Sequence, residues 1–379
     1  MELFLGLSLC FFFFFGLRWW FATRYTTKKI TGDINERQYT VLQPILSGDP
    51  RLEEDLRGNL EQTTEMLFLW LVDKSDSVAQ TVTQTILKEA TYAARVKVVL
   101  LDDVPQEVNP KVYKLKQVMT QITTPYFIVL DDDSVFNRAR LNEMKQYEAL
   151  TEDFIVTGIP YNFGQTGMWS KLVAAFVNSN SLLTYFPMAY VHANRTINGM
   201  FYISRTELFQ RLAVFETIQY ELCDDLAVAA FLTKHKVQII QSQIPCNVRN
   251  TVVQPQKYVL LMKRWLLFAS IYMKTFPSLA LFFLVVLPAF LPGLLLFVSC
   301  FLGWQYLLGT VGLFGVKALL LRGYRNQFFG VNERISAIGY EVLNDSWLPF
   351  LFLYTLVTPP IIQWRNKKIK VTDGKIRYV

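Results

Sequence analysis

Apolar and polar positions follow different rules in different parts of this chain. Residues Leu3 to Phe21 are apolar except for Arg18, and Trp19 and Trp20 stand where aromatic rings collect at a membrane boundary. No small-residue cleavage site follows, and the basic residues Arg24, Lys28 and Lys29 come after the apolar run rather than before it. The pattern predicts an uncleaved anchor, with its N-terminus outside and Lys28–Lys29 in the cytosol. Between Lys274 and Lys317 no charged residue occurs, which is room for two spans of about 20 residues each. Gly303-Trp304 is the expected turn between them, and Pro288 and Pro292 are candidate kinks in the first.

A further apolar stretch, Trp347 to Trp364, is interrupted by Pro359-Pro360. A full crossing there would put Lys367 and Lys368 outside, against the positive-inside tendency, so a re-entrant or kinked segment also fits. Tyr258 to Lys274 mixes apolar residues with Lys263 and Arg264, the pattern of a helix lying in the membrane interface. The aromatic-rich stretch Leu182 to Tyr190 is a second interfacial candidate. A helix in a soluble core accounts for either almost as well.

From Asp33 to Asn250 the rule changes. Short apolar runs at Tyr39–Leu42, Met66–Val72, Val96–Leu100, Phe127–Leu130 and Phe154–Gly158 alternate with helix-compatible stretches at Arg51–Leu60, Ala79–Ala94 and Val112–Thr123. Such alternation predicts an α/β domain with a mostly parallel sheet flanked by helices. The chain then reads as an anchor (1–31), an inserted α/β domain (32–256), and an interfacial helix with C-terminal transmembrane segments (257–379).

Ligands of such sheets sit beyond the carboxyl ends of the strands, and acids stand there. The second run leads into Asp73 and the fourth into Asp131-Asp132-Asp133. Carboxylates about 4–6 Å apart raise one another's pKa, a cost that a divalent cation removes. In an extended chain Asp131 and Asp133 point the same way and offer oxygens to one Mg²⁺ or Mn²⁺. A solvated turn capping the following helix explains the triplet equally well, and Asp73 alone reads most simply as a turn acid.

Charge and composition narrow the classes. The net charge is +7, but much of the excess flanks apolar segments, at Arg24, Lys28, Lys29, Arg365, Lys367, Lys368 and Lys370. That marks a cytosolic membrane face rather than a nucleic-acid partner. The four cysteines have neither CxxC spacing nor nearby histidines, which argues against a zinc site or disulfide framework. His192 and His235 read as surface or satisfied residues.

Taken in order, several elements resemble nucleotide-sugar glycosyltransferases of the GT-A kind, and most closely the ceramide glucosyltransferase family with its bacterial relatives. They are Gln43-Pro44, Gly48-Asp49-Pro50, Asp73, Asn109-Pro110-Lys111, Asp131-x-Asp133, Gly158-Ile159-Pro160-Tyr161, Asn198-Gly199-Met200, Cys223-Asp224-Asp225 and Arg264-Trp265. The set spans nearly the whole chain, and one N-terminal anchor with several C-terminal spans is that family's layout.

The resemblance implies an inverting transfer of a hexose to a membrane lipid, with UDP-glucose and ceramide as the leading pair. N-acetylglucosamine or another hexose onto a hopanoid or glycerolipid is the close alternative. It implies that Asp73 contacts the nucleotide, that Lys111 lies near the phosphates, and that Asp131 and Asp133 hold the diphosphate through Mn²⁺ or Mg²⁺. Asp225 becomes the catalytic base, and Arg264 and Trp265 lie near the leaving diphosphate and the acceptor. Inversion needs a base for the acceptor hydroxyl, and a carboxylate within about 3 Å serves. Read without the resemblance, Asp224-Asp225 is a helix N-terminal pair favoured by the macrodipole.

Two positions depart from the family pattern. Leu261 stands where the family has Gln or Arg, and Asp224 replaces the commoner Glu. A processive polysaccharide synthase would need a translocation channel, which Leu261 and about three to four spans argue against. A non-catalytic membrane scaffold has no need for the acids at 73, 131, 133 and 225.

Overall fold

The computed structural model describes residues 1–27, 32–364, 367–372 and 375–378. Lys28, Lys29 and Arg365, read above as membrane-flanking charges, lie outside the described residues. Contacts divide the chain into two compact units: Met1–Lys28 with Tyr161–Asn194 and Asn250–Gln363, and Lys29–Pro160 with Arg195–Arg249 and Trp364–Val379. In chain order the helices used below are α1 (Glu2–Tyr25), α2 (Leu52–Glu61), α3 (Ser77–Ile86), α4 (Pro110–Met119), α5 (Met168–Tyr190) and α6 (Asp224–Lys234). They continue with α7 (Pro255–Thr275), α8 (Leu279–Leu302), α9 (Trp304–Phe329) and α10 (Ser336–Val357).

The first unit is a helical bundle. Three of its helices, α1, α8 and α9, are long and apolar enough to cross a membrane. The break between α8 and α9 falls at Gly303, whose φ of 117° no other residue type adopts without strain. Within α8 the chain takes a π turn over Phe282–Val286 just before Pro288, which has no N–H to continue the ladder. Gly293 permits close packing in the same bundle: a Cβ there would lie 2.9 Å from the ring of Pro349 on α10. The stretch beginning at Trp347 is the second half of a helix that starts at Ser336 and buries Glu341, Asn344 and Asp345. That helix stops before Pro359-Pro360, and an extended segment follows at Ile361–Trp364.

Helix α5, expected inside the domain 32–256, clusters instead with the apolar helices. It explains Arg18, the charge within the apolar run of α1. Pro187 lies inside α5 and cannot donate to the carbonyl four residues back, that of Leu183. The Arg18 guanidinium supplies the missing donor, with Nε 2.7 Å from Leu183 O and a second nitrogen 3.4 Å from Thr184 Oγ1. Other charges in the bundle are paired too. Lys317 Nζ is 2.5 Å from Asp345 Oδ2, and Arg325 donates to Glu333 (2.7 Å) and to Glu341. Removing one member of such a pair strands a charge in a low-dielectric interior, which costs about 3–5 kcal/mol. Helix α7 packs Tyr258 and Met262 against Leu172 and Val173 of α5 and Leu351 of α10.

The second unit is a mixed α/β fold around an eight-stranded sheet. Its strands are β1 (Tyr39–Ile45), β2 (Leu67–Asp73), β3 (Val96–Leu101) and β4 (Tyr126–Leu130), then β5 (Ser134–Phe136), β6 (Phe154–Asn162), β7 (Phe201–Arg205) and β8 (Gln238–Val248). The order is β3-β2-β1-β4-β7-β6-β8-β5. The first four strands pair in parallel, and all five expected runs became strands. The other half differs from the expected parallel sheet: β4–β7, β7–β6 and β5–β8 pair antiparallel.

Both faces are covered, so alternate residues feed different cores. Ile128 and Leu130 of β4 join one cluster with Trp70 and Val41; Phe127 and Val129 join the other with Leu42 and Val112. The parallel half brings the exits of β1, β2 and β4 to one edge, where Asp73 and Asp131 stand.

If Arg18 completes the hydrogen bonding that Pro187 interrupts, Arg18→Met will destabilise the protein by about 1–3 kcal/mol in thermal unfolding in detergent. The same substitution in a Pro187→Ala background, where an N–H is restored, is expected to cost distinctly less.

Candidate active site

Local capping builds the first corner. Asn109 precedes α4, and its Oδ1 accepts from the backbone N–H of Lys111 (3.0 Å) and Val112 (3.3 Å), with Pro110 at the first helical position. Its Nδ2 donates to the carbonyls of Glu221 (3.1 Å) and Leu222 (3.3 Å), and its own N–H donates to Gln219 O (2.7 Å). One buried asparagine thus starts α4 and fixes the segment that leads into Cys223-Asp224-Asp225.

Lys111 is where the expected residues converge. Its ammonium lies 2.5 Å from Asp131 Oδ1, 2.7 Å from Gly199 O and 3.5 Å from Asp224 Oδ2. Burial alone would pull this lysine down, but the carboxylates of Asp131 and Asp224 outweigh it and raise it, so it stays charged. Gly199 leaves room for α6: a Cβ there would lie 3.2 Å from Asp225 Cβ and 3.5 Å from Asp224 Oδ2. Asn198 holds the glycine in place, donating from Nδ2 to Gly158 O at 2.6 Å and from its backbone to Thr157 Oγ1 at 2.7 Å.

The aspartate triplet is a turn rather than an extension of β4. Strand β4 ends at Leu130, Asp131 donates its N–H to Met200 O (3.0 Å), and Ser134 N closes the turn on Asp131 O (3.2 Å). The alternation expected from an extended chain therefore does not hold, and the three carboxyls have separate partners. Asp131 takes Lys111, Asp132 Oδ2 accepts from Leu46 N (2.7 Å), and Asp133 Oδ1 accepts from the Ser134 hydroxyl (3.2 Å). Asp132 and Asp76, which accepts from Ser47 N at 2.8 Å, together hold the loop leaving β1. Burial and then the neighbouring carboxylates push the triplet up: Asp132 to about 7 and Asp133 well above its ordinary value.

Asp225 sits in the first turn of α6. Its Oδ1 accepts from Leu226 N (2.7 Å) and from the Cys223 thiol (2.8 Å). Burial first, and then the adjacent Asp224, raise it above the usual carboxylate range. Asp73 closes β2, with Oδ2 3.0 Å from Lys114 Nζ, which also donates to Ile45 O at 2.7 Å. The other oxygen of Asp73 is buried with no hydrogen-bond partner among the described residues. Lys114 was missed in the sequence, and Cys223 was named there only as part of the Cys223-Asp224-Asp225 element, without a role. Cys223 lies two positions before the acid it bonds, and Lys114 lies one helical turn after Lys111. Those spacings are the signals that were available.

Arg264 and Trp265 belong to the first unit, on α7. Trp265 stacks on Phe176, with ring centroids 5.8 Å apart. Leu261 packs in the same apolar cluster, which accounts for an aliphatic residue at that position.

The acids are matched to a divalent cation that fills its shell from elsewhere. Among the described residues, no group of three or more His, Cys, Asp or Glu is arranged to hold a metal unaided. Asp131 and Asp133 are hard oxygen donors raised first by burial, Asp133 further by Asp131 and Asp132, and Mg²⁺ or Mn²⁺ commonly takes one or two carboxylates plus substrate phosphate. The residues fit such an ion on that footing.

Compared with known proteins, the chain matches the profile of glycosyl transferase family 21 over residues 11–377. No curated protein sequence matches it. Among solved structures, it is similar to the mannosyltransferase PcManGT from Pyrobaculum calidifontis in complex with GDP-Man and Mn²⁺, at 13% identity and a TM-score of 0.47, over 91% of this chain and 98% of that one. S. aureus TarS 1–349 in complex with UDP-GlcNAc gives 12% identity and a TM-score of 0.37, over 90% and 98%. GalNAc-T7 with UDP, GalNAc and Mn²⁺ gives 10% and 0.41, over 62% and 49%.

Two outcomes are expected. Asn109→Ala will cost about 1–2 kcal/mol of stability and speed amide exchange across residues 219–226, read by hydrogen exchange. Because Asp132 binds its proton more tightly folded than unfolded, its contribution is full below the unfolded pKa of about 4 and is lost as pH rises through about 7. Metal-free protein should therefore melt lower at pH 8 than at pH 6. Mn²⁺ should recover most of the difference, and Asp132→Asn should flatten the slope.

Proposed function

Because the chain belongs to glycosyl transferase family 21, a GT-A enzyme that moves sugar from a nucleotide-sugar, we propose that it is an inverting hexosyltransferase acting on a membrane lipid. UDP-glucose is the proposed donor and ceramide the proposed acceptor, giving glucosylceramide. It works as an integral membrane protein, with the α/β unit on the cytosolic face. The observation that carries this reading is the convergence on Lys111 of Asp131 and Asp224, next to Asp225, with Gly199 leaving no side chain between them.

In this reading Asp225 takes the proton of the acceptor hydroxyl as that oxygen attacks the anomeric carbon. Its raised pKa favours the role, since a base works best when its pKa nears the operating pH. Asp224 and the Cys223 thiol set its position and basicity. Lys111 faces the developing diphosphate charge and counters part of the rise that burial imposes on Asp131, and Asp73 with Lys114 orients the nucleotide. When bound, Mn²⁺ or Mg²⁺ held by Asp131 and Asp133 would offset charge on the leaving diphosphate. Arg264 is assigned to the leaving diphosphate and Trp265 to the acceptor, on the resemblance noted above.

The test is transfer of labelled glucose from UDP-glucose to short-chain ceramide in detergent with Mn²⁺. Asp225→Asn is expected to lower turnover by about 10²–10⁴-fold while leaving donor binding intact. Equal product from both proteins would remove Asp225 from the chemistry. Product only with a different sugar or lipid would keep the enzyme class and discard ceramide glucosylation.

A further inference from the structure

The two carboxylates assigned to the cation stand on different supports. Asp131 is held by Lys111 of α4 and by the bond from its own N–H to Met200 O. Asp133 belongs to the other end of the turn, which runs directly into β5. That strand is three residues long and lies at the edge of the sheet, too short to keep its place without help. Along one side it pairs antiparallel with the end of β8: Ser134 opposite Val248, Val135 opposite Asn247, Phe136 opposite Cys246. The Arg249 N–H then donates to Asp133 O at 3.2 Å, carrying that ladder one residue beyond the strand and onto the acid itself.

Helix α2 closes the other side. Asn59 is fully buried and bonds as a neighbouring strand would, with Oδ1 accepting from Phe136 N (3.2 Å) and Nδ2 donating to Ser134 O (2.9 Å). One turn earlier on α2, the equally buried Asp55 has Oδ1 3.3 Å from Arg249 Nε, and Glu54 beside it accepts from Arg249 Nη1. Neither carboxylate oxygen of Asp55 has a hydrogen-bond partner among the described residues, so its ion pair with Arg249 balances the charge. Separating the two would strand a carboxylate in the interior, which makes Asp55 a firm anchor. Arg249 is thus held at both ends, its main chain on Asp133 and its guanidinium on α2. Mg²⁺ demands near-ideal octahedral geometry at about 2.0–2.1 Å, while Ca²⁺ accepts flexible shells at about 2.3–2.6 Å. Two rigidly mounted carboxylates suit the first kind of ion, and a loose one suits the second. We propose that Arg249 and Asn59 are positioning residues for Asp133, and that the mount they form makes the site select Mg²⁺ or Mn²⁺ over Ca²⁺. The proposal rests on the reading that Asp131 and Asp133 take a divalent cation.

The experiment measures Mn²⁺ binding to the full chain in detergent by electron paramagnetic resonance, with UDP present and Ca²⁺ as competitor. Arg249→Gln is made together with Asp55→Asn, so that no unpaired carboxylate is left in the interior. The double variant is expected to raise the Mn²⁺ Kd about tenfold and to narrow the preference over Ca²⁺ by about fivefold or more. Amide exchange should quicken at residues 133–136, and Arg249→Lys should keep most of the preference. Asn59→Ser, which opens the other side of β5, gives the same test should the double variant not fold. An equal loss of affinity for both cations would overturn the proposal, since a merely structural role predicts that. Unchanged affinity and preference in every folded variant would refute the mount alone. A wild type that binds no Mn²⁺ would refute the metal reading together with the mount.

Discussion

One ammonium group holds the candidate site together. Lys111 sits among Asp131, Asp224 and the carbonyl of Gly199, and without it two acid-bearing segments from distant parts of the chain would repel each other across a buried space. Its own position depends on the Asn109 cap, which also fixes the approach to α6. The absence of a side chain at Gly199 lets α6 come close enough for Asp224 to reach the lysine. The end of the site suited to a metal and diphosphate, and the end suited to taking a proton, are thus built around one cation. That coupling is the physical reason for treating them as one active centre.

In the helical unit the organising constraint is the cost of an unpaired polar group in an apolar bundle. Pro187 breaks the α5 ladder at Leu183, and Arg18, otherwise an anomaly in α1, supplies the donor. Lys317 with Asp345, and Arg325 with Glu333 and Glu341, follow the same rule between α9 and α10. These pairings keep charge inside the bundle without leaving it unpartnered.

Much of this was legible in the sequence, and the rest was hidden for identifiable reasons. The runs that became β1 to β4 and β6 were visible because both faces of the sheet are buried, which yields unbroken apolar segments. The same fact hid the direction of pairing, since an apolar run carries no sign of parallel or antiparallel neighbours, and β7 and β8 turned half the sheet antiparallel. Gly303 announced the α8–α9 turn through its backbone freedom. Helix α5 was only half visible: its Leu182–Tyr190 end read as an interfacial candidate, while the rest fell unremarked within the expected domain 32–256. At the site, Asp73, Lys111, Asp131, Asp133 and Asp225 were named from pattern and resemblance. The turn at Asp131–Ser134 depends on a bond to Met200, far along the chain, and so could not be read locally. Lys114 escaped because its contacts with Asp73 and Ile45 are tertiary, and Cys223 was given no role although its partner Asp225 lies only two residues on.

The claim that Lys111 couples the two ends of the site is tested most directly by comparing Lys111→Met with Lys111→Arg. The readouts are UDP-glucose affinity in the presence of Mn²⁺ and the single-turnover rate of sugar transfer, on the same preparations. The account predicts that Lys111→Met weakens donor binding by about tenfold or more and slows transfer by about a hundredfold, with partial recovery in Lys111→Arg. A folded Lys111→Met protein that binds donor and transfers sugar like the wild type would contradict it.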